Sequence, residues 1–295
     1  MGKLFQNKNK TPRFDCSGTS GDNAAKIHFF WTFDYFDTIF EKKTRNSLFH
    51  KTMKYEEYET AFAAARLNKY LCACGGNKAK ALQLYRLNIK LCQKLYGVLN
   101  VFEIVLRNAI HNHYESFFSD ANWIKTQLSD GGMLSAAPMK TETISVIRKL
   151  DHTGKYTPDR AVSSLSLGFW TYLFTKYPFA KGGKSILKIF PNKTKPLGQR
   201  AVFNELQIIK RFRNRIAHHE PICFDNEGHI NTTFANENYK LIIRYLHFLG
   251  YNDEQILLGL NVRPYAIFKK IEGIARMSMK SGAPAKSRDK SKPPD

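Results

Sequence analysis

The chain has 295 residues, with 46 Lys and Arg against 25 Asp and Glu and a formal net charge of +21. At 43% hydrophobic residues it can bury a core, which excludes a wholly disordered protein. The charge excess favours a polyanionic partner, nucleic acid first and an anionic membrane surface second, although solvated surface lysines alone give the same balance.

The opening MGKLFQNKNK lacks the apolar core of a signal peptide, and Gln6 breaks the myristoylation pattern. No stretch reaches the roughly 18 apolar residues needed to span a bilayer, so no membrane partner is expected. Cys16, Cys72, Cys74, Cys92 and Cys223 form no disulfide framework and are read as reduced thiols in a cytoplasmic protein.

Residues 1–52 read as an N-terminal extension. A polar start gives way to HFFWTFDYFDTIF, His28 to Phe40, interrupted by Asp34 and Asp37. It is expected to dock as an amphipathic helix, in preference to lying at a membrane interface. Met53 as the true start, with an over-extended reading frame before it, is the other account.

From Tyr55 the pattern turns helical, and TAFAAARLNKYLCAC reads as one helix stopped at Gly75-Gly76. Asn77 caps a second helix over Lys78 to Phe118, with Gly97 as a candidate break. Leu91, Leu95, Val98, Phe102, Val105 and Ala109 give it helical periodicity. Ser119 to Pro138 is looser, with Gly131-Gly132 marking a loop. A short helix follows over Thr141 to Leu150, then Arg160 to Tyr177, which contains SLGFWTYLF, an apolar helix or part of one. Pro178, Gly182-Gly183, Pro191 and Pro196 punctuate connections. A long helix spans Gly198 to His219, and others cover Asn236 to Leu249, Asp253 to Leu260 and Pro264 to Ala275. Strand-like alternation is scarce. The fold class is all-α, with a helical domain over 53–275 and a disordered basic tail over 276–295.

Two polar clusters interrupt this pattern. In RFRNRIAHHEPICF, Arg211 to Phe224, an apolar stripe of Val202, Leu206, Ile209 and Ile216 is completed at position 213 by arginine. Such an arginine is costly unless something negative meets it. Asn214 and His218 are four apart and share a face. Pro221 ends the helix near His219 or Glu220, which puts both histidines in its last turn. The helix dipole favours a protonated imidazole there. Arginine with a readily protonated histidine suits a phosphodiester. Cations at a helix C-terminus are equally favourable without any chemistry. A metal is not expected: His218, His219, Glu220 and Cys223 are possible ligands, but Pro221 breaks the register and HExxH is absent. In VFEIVLRNAIHNHY, Val101 to Tyr114, the residues Glu103, Arg107 and His111 form a polar stripe. Glu103 and Arg107 are oriented to pair, either as a surface salt bridge or as part of a buried polar site.

The phrase RNRIAHHEPI resembles the signature of Abi-like proteins, the bacterial abortive-infection family. AARLNKYL, ALQLYRLN, VFEIVLRNAI, Asn122-Trp123, LGFW and FPNKTKPLGQR precede it in the family's order. The resemblance runs from about Tyr55 to Phe224 and more loosely to Ala275. It implies the HEPN superfamily and a HEPN-like helical bundle with additional helices. Many HEPN members are metal-independent RNases carrying an arginine, a polar residue and a histidine, which here fall on Arg213, Asn214 and His218. His219 and Glu220 complete the local pattern. Glu103, Arg107 and Asn108 fall on the family's other polar helix; the Arg107-to-His113 spacing is coincidental.

What the resemblance implies is an RNase of phage defence that works without cofactor, as a homodimer facing two copies of the motif. Arg200, Lys210, Arg211 and Arg215 would contact phosphates. The alternative is a non-catalytic RNA-binding module or toxin–antitoxin component, partnered by a noncoding RNA or an antitoxin protein. A protein-interaction subunit, charged only for solubility, is the third class.

Overall fold

The Asn77 side-chain oxygen accepts the Lys80 N–H at 3.0 Å and opens the helix around which the rest packs. The computed structural model describes residues 53–135, 139–194 and 197–281. The aromatic stretch over 28–40, Cys16, Pro196 and the last 14 residues, 282–295, lie outside the described residues.

The helices are α1 (Tyr55–Phe62), α2 (Ala64–Ala73), α3 (Lys78–Phe118), α4 (Trp123–Thr126), α5 (Met139–His152) and α6 (Pro158–Ser164). They continue with α7 (Leu167–Tyr172), α8 (Lys176–Lys181), a 3-10 turn (Ile186–Ile189), α9 (Gln199–Ala217), α10 (Thr233–Phe248), α11 (Asp253–Ile256) and α12 (Tyr265–Ser281). Among the described residues there is no strand, and the chain is all-α, as its periodicity indicates.

At 1.5 Å per residue, α3 is roughly 60 Å long. Leu84, Leu91, Leu95, Val98, Phe102, Leu106, Ile110 and Tyr114 recur on it at three-, four- and seven-residue spacing, all fully buried. Against it pack α2, α7, α9, α10, α12 and the 3-10 turn. Ser119, in left-handed geometry at φ 50°, ends the helix. Gly97 does not break it. A Cβ there would stand 2.6 Å from a Val262 methyl, so the glycine admits the strand of chain leading into α12.

Some expectations about element limits are corrected. TAFAAARLNKYLCAC is two helices, broken at Ala63, whose φ is 66°. With this break Tyr55 is buried and the Phe62 ring meets that of Tyr85 at 5.3 Å. SLGFWTYLF holds the apolar helix α7, capped by the Ser166 side chain, and α6 before it is capped by that of Thr157. The final helix extends past Ala275 to Ser281.

Candidate active site

The site is built on the end of α9. Val202, Leu206, Ile209, Phe212 and Ile216 form its buried face. Phe212, not Arg213, completes the core stripe. Arg213 lies one residue round, at the edge of the core, with 34% of its side chain exposed.

Past Ala217 the backbone turns sharply. The His219 N–H donates to the Ile216 carbonyl at 3.0 Å and the Glu220 N–H to Arg215 at 2.9 Å. This is a Schellman closure, in which the left-handed residue is usually glycine. Here it is His219, at φ 58°. The turn is held from three sides. Arg66 of α2 donates from Nη1 to the His219 carbonyl at 3.0 Å. Arg215 pairs with Glu220 at 3.1 Å, donates to the Pro221 carbonyl at 3.0 Å and covers the Phe234 ring. Asn88 of α3, buried, accepts the Ile222 N–H at 3.0 Å.

Where the two polar clusters meet, Arg213 faces Glu103. The Arg213 Nε stands 3.8 Å from the Glu103 carboxylate across the α3–α9 contact. The expected pairing of Glu103 with Arg107 along α3 is not what forms: the Arg107 Nε donates instead to Asn108 at 3.3 Å. An i,i+4 pair is optional on a helix surface, whereas Arg213 enters from the packed neighbour and is partly desolvated. At 3.8 Å the pair is an ion pair without a hydrogen bond, and the Arg213 Nε is buried with no hydrogen-bond acceptor. A buried N–H without an acceptor costs free energy, and an oxygen brought by a ligand would relieve that cost.

His218 caps α9, exposed, and its side chain has no hydrogen-bond or ion-pair partner among the described residues. The same holds for the Asn214 side chain. The Asn214 and His218 side chains are therefore unspent, and Arg213 is held by a long ion pair to Glu103. Of the expected phosphate contacts, Arg200 and Arg211 are exposed on α9. Lys210 is drawn back toward α7, its ammonium 3.4 Å from where a Cβ on Gly168 would stand. Arg215 is committed to the turn.

The other histidines of α3 are structural. The His111 Nδ1 accepts the Trp123 indole N–H at 3.0 Å, which places its own proton on Nε2, toward Glu115. The His113 Nε2 lies 2.8 Å from the Ser185 Oγ, while that hydroxyl donates to the Gly182 carbonyl at 2.6 Å. The His113 ring is therefore the donor to Ser185, and burial, then the charge of Lys188, lowers its pKa. The cysteines among the described residues are free thiols. Burial raises Cys92 to about 11 and raises Cys223 as well, so both stay protonated. Among the described residues no three His, Cys, Asp or Glu side chains gather as a metal-ligand group. No described helix is long and apolar enough to cross a membrane.

Arg66 and Asn88 were given no role by the sequence, although both lie in family-like segments, AARLNKYL and ALQLYRLN. Their partners are 153 and 134 residues away. No curated protein and no solved structure gives a match. The family model described as Abi-like protein matches residues 50–223, a span that holds the Glu103–Arg213 pair and the turn after α9. The chain belongs to the Abi-like family of abortive-infection proteins.

Proposed function

We propose that the chain is a HEPN-type endoribonuclease of bacterial phage defence, acting on RNA as a homodimer and without a metal ion. The observation that carries this reading is the meeting of Glu103 with Arg213 beside the exposed His218 end of α9.

In this mechanism the ribose 2′-oxygen attacks the adjacent phosphorus while a histidine takes its proton. The bond to the 5′-oxygen breaks, and that oxygen takes a proton from an imidazolium. The products are a 2′,3′-cyclic phosphate and a 5′-hydroxyl. His218 and its copy in the second chain supply base and acid. Arg213, released from a long ion pair, stabilises the charge growing on the phosphate. Asn214 orients the phosphate or the imidazole. Glu103 is a positioning residue, aiming the guanidinium before RNA arrives. Glu220 acts only through Arg215, by fixing the turn that carries His218. A two-fold contact suits two copies of such a motif.

The test is cleavage of end-labelled RNA in excess chelator, with His218→Ala and Arg213→Ala shown folded by circular dichroism. Each substitution is expected to lower the rate by about 100-fold or more, the usual contribution of a general base or an oxyanion donor. Cleavage that survives both substitutions, or that chelator abolishes in the parent protein, overturns the reading. RNA bound but left intact by the parent protein points to the binding module, partnered by a noncoding RNA or an antitoxin.

A further inference from the structure

Behind the His219 turn lies an open groove of about 960 Å³ between α1, α2 and α3. Its lining is mostly apolar and rich in rings: Phe62, Tyr70, Tyr85 and Tyr96. Tyr70 and Tyr85 are buried and meet edge-on at 5.2 Å, forming a rigid floor. Phe62 and Tyr96 stand at the rim with 40% and 38% of their surface exposed. Arg66 and Gln93 supply polar groups, and among the described residues no carboxylate lines the groove. Its end is formed by Ile216, Ala217 and His219, so it runs up to the last turn of α9. Arg66 joins the two, with its guanidinium bonded to the His219 carbonyl.

We propose that this groove holds unpaired nucleobases of single-stranded RNA next to the phosphodiester presented at His218. The inference rests on the ribonuclease reading and names the form of RNA that the site takes. Three features select this occupant. Exposed rings offer faces on which any base can stack, and an arginine adds a cationic plane. A lining with an arginine and no carboxylate tolerates the phosphates that must follow each base. A base-paired helix keeps its bases inside the stack and presents only backbone and groove edges, so it has nothing to insert between Phe62 and Tyr96. The groove therefore makes the enzyme selective for single strands, through base stacking and largely without regard to sequence.

The experiment measures RNA affinity in the full-length His218→Ala protein, so that bound RNA stays intact. The probes are a fluorescent single-stranded 12-mer and the corresponding duplex. Adding Phe62→Ala or Tyr96→Ala is expected to weaken single-strand binding about tenfold each, in line with base–aromatic stacking elsewhere. Phe62→Tyr and Tyr96→Phe keep a ring and are expected to restore it. Duplex binding is expected to change less than twofold. With His218 intact, Phe62→Ala and Tyr96→Ala are expected to raise KM and leave the single-turnover rate at saturating RNA within twofold.

Unchanged affinity in both alanine variants, with His218-dependent cleavage retained, overturns the base groove and leaves the nuclease standing. Stacking-dependent binding with no cleavage by the parent protein supports the groove and sinks the nuclease. A parent protein that binds no RNA sinks both. A parent dimer turned to monomer by Tyr96→Ala at unaltered RNA affinity assigns the groove to a second copy of the chain, against the proposal.

Discussion

His219 occupies a backbone position that L side chains rarely adopt, at φ 58°. Its imidazole is exposed, and the bond from Arg66 goes to its carbonyl, so the side chain is not what holds the turn. Glycine at this position removes the clash between Cβ and backbone and keeps both Schellman hydrogen bonds. His219→Gly is therefore expected to stabilise the protein by about 1 kcal/mol, read as a higher urea midpoint at unchanged m-value. A lower midpoint would show that the imidazole, and not the backbone, fixes the turn. At this scale the sequence is informative where chemistry is local. Arg213, Asn214 and His218 lie within one turn or two of each other, and Pro221 places the helix end, so their grouping can be read directly. Which acid meets Arg213 cannot be. Glu103 has Arg107 four residues on and Arg213 a hundred and ten residues on, and packing, not spacing, selects the second.

Between elements, the decisive contacts join α3 to the turn after α9. Asn88 reaches from α3 to the Ile222 N–H, and both residues are buried. Asn88→Leu keeps the branched shape of the side chain and removes the acceptor, leaving that N–H without a partner. The expected cost is about 1–3 kcal/mol in urea unfolding. Asn100→Leu, the same change on the exposed face of the same helix, is expected to stay within about 0.5 kcal/mol. Equal effects from the two would mean that helix propensity, and not the buried hydrogen bond, sets the result. Helices announced by periodicity and caps were legible: α3 from Asn77 and its apolar spacing, α9 from its apolar stripe. Breaks were less so. Alanine is a strong helix former, and nothing local marks Ala63 as left-handed; the break goes with the burial of Tyr55 and the contact of the half-exposed Phe62 ring with Tyr85. Gly97 misled in the opposite sense, because its missing side chain serves the approach of Val262 and not a bend.

For the molecule as a whole, the open question is what a net charge of +21 is for. A solvated basic surface and a phosphate-binding face share the same composition and differ in linkage to salt. Each phosphate neutralised on a single strand releases counterions and adds roughly −0.7 to the slope of log affinity against log salt concentration. Arg200 and Arg211 are exposed on α9, with no ion-pair partner among the described residues. If they lie along the RNA backbone, Arg200→Ala and Arg211→Ala each reduce the slope by about 0.7 and weaken binding alike for all sequences. Arg215→Ala acts differently, because its charge is held by Glu220 and its ring contact by Phe234. It is expected to lower stability and to leave the slope unaltered. Titrating a labelled single strand over a range of salt concentrations separates these cases. A parent slope near zero would assign the positive charge to solubility and remove RNA as the partner. A steep slope indifferent to Arg200 and Arg211 would move the backbone path off α9, away from His218.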